Sequence, residues 1–492
     1  MGSPWYATQM ERDPIVIVGG GLAGLAAATV LAERRQSVVL FERERYLGGR
    51  VGSWSDRLAD GTPFQMERGF HAFFRNYKNL RALLRRVDPE LSMLLPLDDY
   101  PLLGPGGARE SFRDLPRITP LNVVELVRRT PSLSLRDLGR VHVPSALEML
   151  RFDPERTYAR WDERTARSYL DSLRFPPEAR RMLFEVFAHS FFNPEDSYSA
   201  GELLAMFHFY FLGNPDGLPF DVMKRPFGPA FIDPLAAYLE AHGVRIERGV
   251  AVERVERDGD GFVVHAGEAV RASALVLALD VPGLKGLAAR SGAAFEGLLP
   301  GIESLEVTAR FAVLRLFYEG RGPVHLAPFA GTAGVGLLDN ISVYERFEDE
   351  SEAIARNQGS VIELHAYGIP DGLDEAAIRA DLMAGLHAIH PELAGMTVRE
   401  ERYLVRRDCP AFAPGSHRLR PTVATKVPGL VLAGDFVKLP FASALMERAT
   451  TSGMMAGNLL LAARGLGQEP IRTGPRKGIL RRGMLLGLGA SP

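Results

Sequence analysis

Cysteine is almost missing from this sequence: among 492 residues only Cys409 carries a thiol. A lone thiol excludes an intrachain disulfide, a multi-cysteine zinc site and an iron–sulfur cluster built by this chain alone. Any electron carrier is therefore organic. A charge of one sign is missing too. The 58 basic residues against 60 acidic ones leave a formal charge of −2, with no long-range field to attract nucleic acid or another polyanion. No uncharged apolar run approaches the ~18 residues of a spanning helix. The start MGSPWYATQM has neither the basic n-region nor the long apolar h-region of a secretory signal. These absences predict a cytoplasmic protein and leave attachment to a membrane surface open.

What is present is length and patterned glycine. A chain of 492 residues predicts two or three domains with room for a buried cofactor. The run Ile15-Val-Ile-Val18, a glycine-rich turn, the helix formers from Leu25 and then Val38-Val-Leu-Phe41 read as a βαβ unit. The predicted class is α/β: a Rossmann-like cofactor domain, a mixed-sheet substrate domain and a mostly helical cap insertion. The cofactor domain is expected in three parts, 10–115, 241–300 and 421–465, with the cap over 116–240, the substrate sheet over 301–420 and a basic apolar tail over 466–492. Within them, 305–317 and 360–367 are the best strand candidates of the substrate domain, and 442–461 reads as a helix.

Gly19, Gly21 and Gly24 form a G-x-G-x-x-G that follows a strand and opens a helix, the context that separates a dinucleotide fingerprint from a chance match. The first glycine serves the tight turn, the second lets backbone approach a pyrophosphate, and the third lets helix and strand pack closely. Leu22 and Ala23 then offer free N–H groups at a helix N-terminus. Glu42, with Arg43 beside it, closes the second strand where a carboxylate accepts ribose hydroxyls and repels a ribose phosphate, which disfavours NADP. These features alone do not separate FAD from NAD.

The separation comes from Leu47-Gly48-Gly49-Arg50-Val51 and from Leu432-Ala-Gly434-Asp435 ahead of Leu445-Met446-Glu447-Arg448. The first resembles the Gly-Gly-Arg element of amine oxidases and carotenoid desaturases. From about 15 to 458 the chain is similar to the carotenoid desaturase family, above all to the isorenieratene-synthase type of β-carotene desaturase/methyltransferase. Further matches are Met66-Glu67-Arg68-Gly69-Phe70-His71-Ala-Phe73-Phe74, Glu185 to Phe192, Gly201-Glu-Leu-Leu and Asp408-Cys-Pro. The resemblance implies FAD, with Arg50 on the pyrophosphate, Asp435 on the ribityl chain, Val252 reading adenine through its backbone, and Leu445 and Met446 at the flavin pyrimidine. Gly69 and Phe70 fall near the flavin face, Gly69 giving the ring clearance. It also implies oxidation of a β-ionone ring to an arene with migration of one ring methyl. Hydride leaves an allylic ring carbon for the flavin, a 1,2-methyl shift relieves the cation, and proton loss with a second oxidation completes the ring.

Two groups, His71 and Glu67, are placed to take that proton, although His71 also reads as a hydrogen-bonded core residue and Glu67 as a partner of Arg68 or Arg75. Phe73, Phe74, Phe207, Tyr210 and Phe211 read as lining for a polyene tunnel or as plain core. Cys409 reads as structural, and no His/Asp/Glu spacing suggests a metal. A lipid-soluble substrate requires contact with a membrane. The candidate segments are 121–150 and the basic apolar tail 471–489, which also reads as a frayed terminus. Quinone or oxygen would reoxidise the flavin. A carotene desaturase acting on a linear polyene, an oxidase of another apolar or amine substrate, and a non-catalytic flavin or carotenoid carrier share the same cofactor motifs.

Overall fold

The computed structural model describes residues 13–478 apart from 98, 112, 114–115, 117–124, 126–127, 131–138, 186–188 and 213–218. Much of the candidate membrane segment 121–150, part of the 185–192 match, and the tail from 479 onward lie outside the described residues.

Five parallel strands carry the cofactor end: β1 (Ile15–Val18), β2 (Val38–Glu42), β3 (Arg245–Arg248), β4 (Ala274–Leu277) and β5 (Leu430–Leu432), in the order β3-β2-β1-β4-β5. The inner strands IVIV and ALVL are buried at every position, as strands covered on both faces must be. The edge strand β3 reads RIER, and its charges blunt an open edge. Four helices position the site: α1 (Leu22–Ala32), α2 (Lys78–Leu84), α3 (Ala200–Phe207) and α4 (Leu445–Ala463). Every residue of α1 is buried, because small side chains let it fit between the sheet and α4. A Cβ at Gly453 would lie 2.0 Å from the Ala23 carbonyl oxygen, so glycine there lets α4 pack against the first turn of α1.

A second sheet is seven-stranded and mixed, in the order Val398–Arg406, Arg310–Tyr318, Val361–Ile369, Asn340–Val343, Phe329–Thr332, Leu102–Leu103, Arg109–Glu110. One face packs on the helix Glu375–Ile389 through Leu314, Leu316, Leu364, Ile378 and Leu382. The expected strands 305–317 and 360–367 are Arg310–Tyr318 and Val361–Ile369.

Arg254–Asp258 and Gly261–Ala266, inside the second cofactor segment, pair antiparallel and join Glu268–Ala272 in a sheet separate from the parallel one. Two placements differ from the sequence reading. Leu102–Leu103 and Arg109–Glu110, assigned to the first cofactor segment, complete the mixed sheet through parallel pairing of Leu102 with Gly331. Phe220–Met223, inside the segment read as helical, is a strand between Phe73–Phe74 and Leu94–Pro96. Four buried residues are too few to show a period, and Asp221 is held there by Arg75 and Arg81.

Candidate active site

One cavity of about 500 Å³ runs from the fingerprint, past the β5 turn, to the face of the mixed sheet. At its first end lie Gly19, Gly21, Leu22 and Ala23. Gly24 sits behind them, where a Cβ would come within 1.9 Å of the Gly19 carbonyl oxygen, and Gly19 itself has φ +108. Gly21 is different. Its φ of −76 suits any residue, and a Cβ there would meet no protein atom within 3.9 Å. Among the described residues none crowds that position, and the space a side chain would fill is open cavity. The N-terminus of α1 opens on the same space with no side-chain cap and no acidic residue in its first turn, as an anion site needs.

Glu42 lines this end with its orientation fixed, one carboxylate oxygen accepting from Gly20 N at 2.7 Å and the other from Glu44 N at 2.9 Å. Burial raises its pKa. Arg43 is mostly exposed at the rim, near Asp280, and Val252 lines the wall immediately before the strand that starts at Arg254. Further in, Gly49 and Arg50 face Gly434 and Asp435, and Arg50 Nη2 donates to Asp435 Oδ1 at 2.6 Å. Leu445 and Met446 open α4 on the cavity wall. Leu445 takes φ +45, left-handed for a bulky residue, a strain of the kind found at binding sites. Cys409 lies beside Arg50, and burial pushes its thiol up to about 11, so it stays a thiol.

His71 and Phe70 line the middle of the cavity. The His71 Nδ1 stands 2.7 Å from the Gly69 carbonyl oxygen and must donate to it, which leaves the lone pair on Nε2. Burial lowers its pKa to about 4, so the ring is neutral. Glu67 is not on the cavity wall: one carboxylate oxygen accepts from Phe227 N at 2.7 Å and the other lies 3.9 Å from Arg315. Neither of its anticipated partners Arg68 and Arg75 reaches it; they pair with Asp408 and Asp221. A Cβ at Gly69, φ +113, would lie 2.9 Å from His365 Nε2, so glycine there leaves room for the His365 ring. Of the tunnel set, Phe74, Tyr210 and Phe211 line the cavity. Phe73 packs on Phe227 behind the wall, and Phe207 on Phe184 and Phe211. α3 continues into a π-helical turn, His208–Leu212, that swings Tyr210 and Phe211 onto the wall.

Sequence reasoning missed a polar row at the same cavity. On Val361–Ile369 the residues Glu363, His365 and Tyr367 share one face by the strand period of two, while Ile362, Leu364 and Ala366 fill the apolar core behind. Burial opposes the Glu363 charge, yet Arg315 beside it holds its pKa down at about 2. Arg315 Nε bonds Glu363 Oε2 at 2.7 Å from the paired position of the next strand. The alternation E-x-H-x-Y inside a strand candidate was the available signal. A second missed device is buried: Glu202 on α3 pairs with Arg448 on α4 and, at 3.2 Å, with Arg420, and accepts from the Tyr158 hydroxyl at 2.6 Å. It ties the two matching segments Gly201-Glu202 and Glu447-Arg448 together.

Comparison with known proteins agrees with this geometry. The family model of flavin containing amine oxidoreductases matches residues 22–461. A carotenoid phi-ring synthase of Streptomyces griseus is 43% identical over 480 residues, spanning 96% of this chain and 93% of that protein. One of Chlorobaculum tepidum is 27% identical, spanning 94% and 91%. A putrescine oxidase variant shares the fold with a TM-score of 0.66 at 16% identity, over 92% of this chain and 99% of that one. Reduced UDP-galactopyranose mutase does so at 0.64 and 16%, over 93% and 96%. The glycine-lined space at Gly21, the uncapped helix and the Arg50–Asp435 turn fit a dinucleotide with a ribityl chain. The chain belongs to the flavin-containing amine oxidoreductase family, within its carotenoid-desaturase branch, and its cofactor is FAD.

Proposed function

We propose that the protein is a carotenoid oxidoreductase that desaturates and aromatises a β-ionone ring with 1,2-methyl migration, converting β- or γ-carotene to an aryl carotenoid. The observation that carries this reading is the continuity of one cavity from the dinucleotide cradle into a compartment walled by Phe74, Tyr210, Phe211, Phe220 and Phe329. The likeness to two carotenoid phi-ring synthases supports the same substrate class. FAD, when bound, accepts hydride. The chain's own residues hold and shield the substrate. Tyr77 and Tyr210 bond hydroxyl to hydroxyl at 2.6 Å, which pairs their polar ends with each other while both aromatic rings contribute to the cavity wall. Aromatic faces stabilise a cation in a site without water.

His71 is the proposed proton acceptor. A neutral imidazole with its lone pair on Nε2 is a weak base, and a ring cation about to become an arene is acidic enough to need no stronger one. Glu67, held off the wall by Phe227 N, is proposed to position the strand ahead of His71 and not to touch substrate. None of the described helices is long and apolar enough to cross a membrane. Collection of a bilayer-soluble substrate at the inner face of the cell membrane, with quinone or oxygen as the terminal acceptor, completes the reading.

Expression in a β-carotene-producing host, with pigments analysed by mass and absorption, tests it. Loss of four hydrogens per modified end group is the expected result. Unchanged β-carotene beside further-desaturated linear carotenes would identify a linear-polyene desaturase instead.

A further inference from the structure

We infer that Tyr367, His365 and Glu363 form a proton relay in which the Tyr367 oxygen takes a proton from the substrate ring, a role that rests on the ring-oxidation reading above. Aromatising one ring removes four hydrogens as two hydrides and two protons, and the protons leave from different carbons. A second acceptor on the wall, apart from His71, is therefore useful chemistry.

The geometry assigns direction at each link. Glu363 Oε1 stands 2.8 Å from His365 Nε2. Its carboxylate is paired with Arg315 Nε at 2.7 Å and accepts from the Tyr344 hydroxyl at 3.0 Å, so it is ionised and only accepts. His365 Nε2 therefore carries a hydrogen and donates it. The Phe70 amide also approaches Nε2, at 3.3 Å, but the shorter, charge-assisted bond to the carboxylate decides the tautomer. That leaves the lone pair of His365 on Nδ1, 2.8 Å from the Tyr367 hydroxyl, which donates to it. Asn340 Nδ2 donates to the same hydroxyl oxygen at 3.0 Å. Nucleophile-like oxygen, imidazole and orienting carboxylate stand in the order of a hydrolase triad, with a phenol in place of serine.

Tyr367 and His365 both line the cavity, whereas Glu363 is wholly buried behind them. Burial raises the phenol pKa, so Tyr367 acts as a conduit and not as a standing phenolate. In the step, a ring C–H bond breaks and its electron pair enters the ring as a double bond, quenching the cation left by hydride loss to FAD. The proton joins the Tyr367 oxygen as the phenol's own proton passes to His365 Nδ1. The imidazolium stays paired with Glu363; once the product has left, His365 Nδ1 returns its proton to the Tyr367 oxygen, which releases the substrate-derived proton to water entering the cavity. Tyr367 is thus a catalytic residue, and His365 and Glu363 position and charge it.

The test uses flavin-loaded protein and β-carotene dispersed in detergent, in air with excess added quinone as electron acceptor, in H2O and in D2O. Tyr367→Phe is expected to keep its bound flavin spectrum, form aryl rings about 100-fold more slowly, and lack the solvent isotope effect shown by the wild type. Should Tyr367→Phe lose the flavin, His365→Gln decides by the same two readouts, because it leaves the phenol without its acceptor. A variant within about threefold of the wild-type rate that retains the isotope effect overturns the relay. Wild-type protein that leaves β-carotene unchanged refutes the ring-oxidation reading itself.

Discussion

At Gly24 a methyl group would lie 1.9 Å from the Gly19 carbonyl oxygen, whereas at Gly21 it would meet nothing within 3.9 Å. The two glycines of one motif therefore do different work, and substitution separates them. Gly24→Ala should cost the apoprotein about 1–3 kcal/mol, as overpacking against backbone does. Gly21→Val should leave the apoprotein melting within about 2 °C of wild type yet retain no flavin after desalting. His71 belongs to the same scale. His71→Ala should keep the flavin and lose roughly 100-fold or more in turnover. A fully active variant would remove it from the chemistry. The sequence showed which residue types were present here but not their roles. Glu67 and His71 sit four apart in one motif, and only the fold reveals that one bonds the Phe227 amide while the other lines the cavity.

Elements were legible where a local rule governs them. The βαβ unit followed from strand, glycine turn and helix formers in direct succession, and α4 from its long helical run. The strand Phe220–Met223 was not, because its pairing partners Phe73–Phe74 and Leu94–Pro96 are distant in sequence. The same holds for Glu447. Nothing near it in sequence shows that one of its carboxylate oxygens accepts from Asn79 N and the other from Leu80 N, each at 2.9 Å, capping the start of α2. Those bonds dock α2 on α4 as well as ending its run of free amides. Glu447→Ala should lower stability by about 1–3 kcal/mol in urea unfolding, with the loss shared by flavin retention, because α4 also forms the cavity wall.

For the molecule as a whole, the buried Glu202 network joins cap to cofactor end. Burial opposes the Glu202 charge, but Arg420 and Arg448 bring its pKa down to about 2 from the ordinary 4.5. A carboxylate depressed on folding binds fewer protons in the native state, so its stabilisation is complete above pH 4.5 and fades as pH falls through about 2. A shift of that size corresponds to about 3 kcal/mol. Glu202→Gln should destabilise by about 3–5 kcal/mol near neutrality, since two buried guanidinium groups lose their counter-ion. The gap between variant and wild type should close as urea unfolding is repeated toward pH 2. Removing FAD should lower the melting temperature at any of these pH values, because a ligand present at about 100 times its Kd adds ~2.7 kcal/mol to the native state.

The packing of Gly453 against Ala23 has a consequence for biosynthesis. The fingerprint strand and helix leave the ribosome long before the helix that covers them, Leu445–Ala463. At roughly 5–20 residues per second, about 20–90 s separate the two events. Throughout that interval α1 has no lid and the nascent chain cannot close its cofactor site. Flavin capture is therefore expected late in synthesis, and a chain truncated before residue 445 should carry the whole fingerprint yet retain no flavin after desalting.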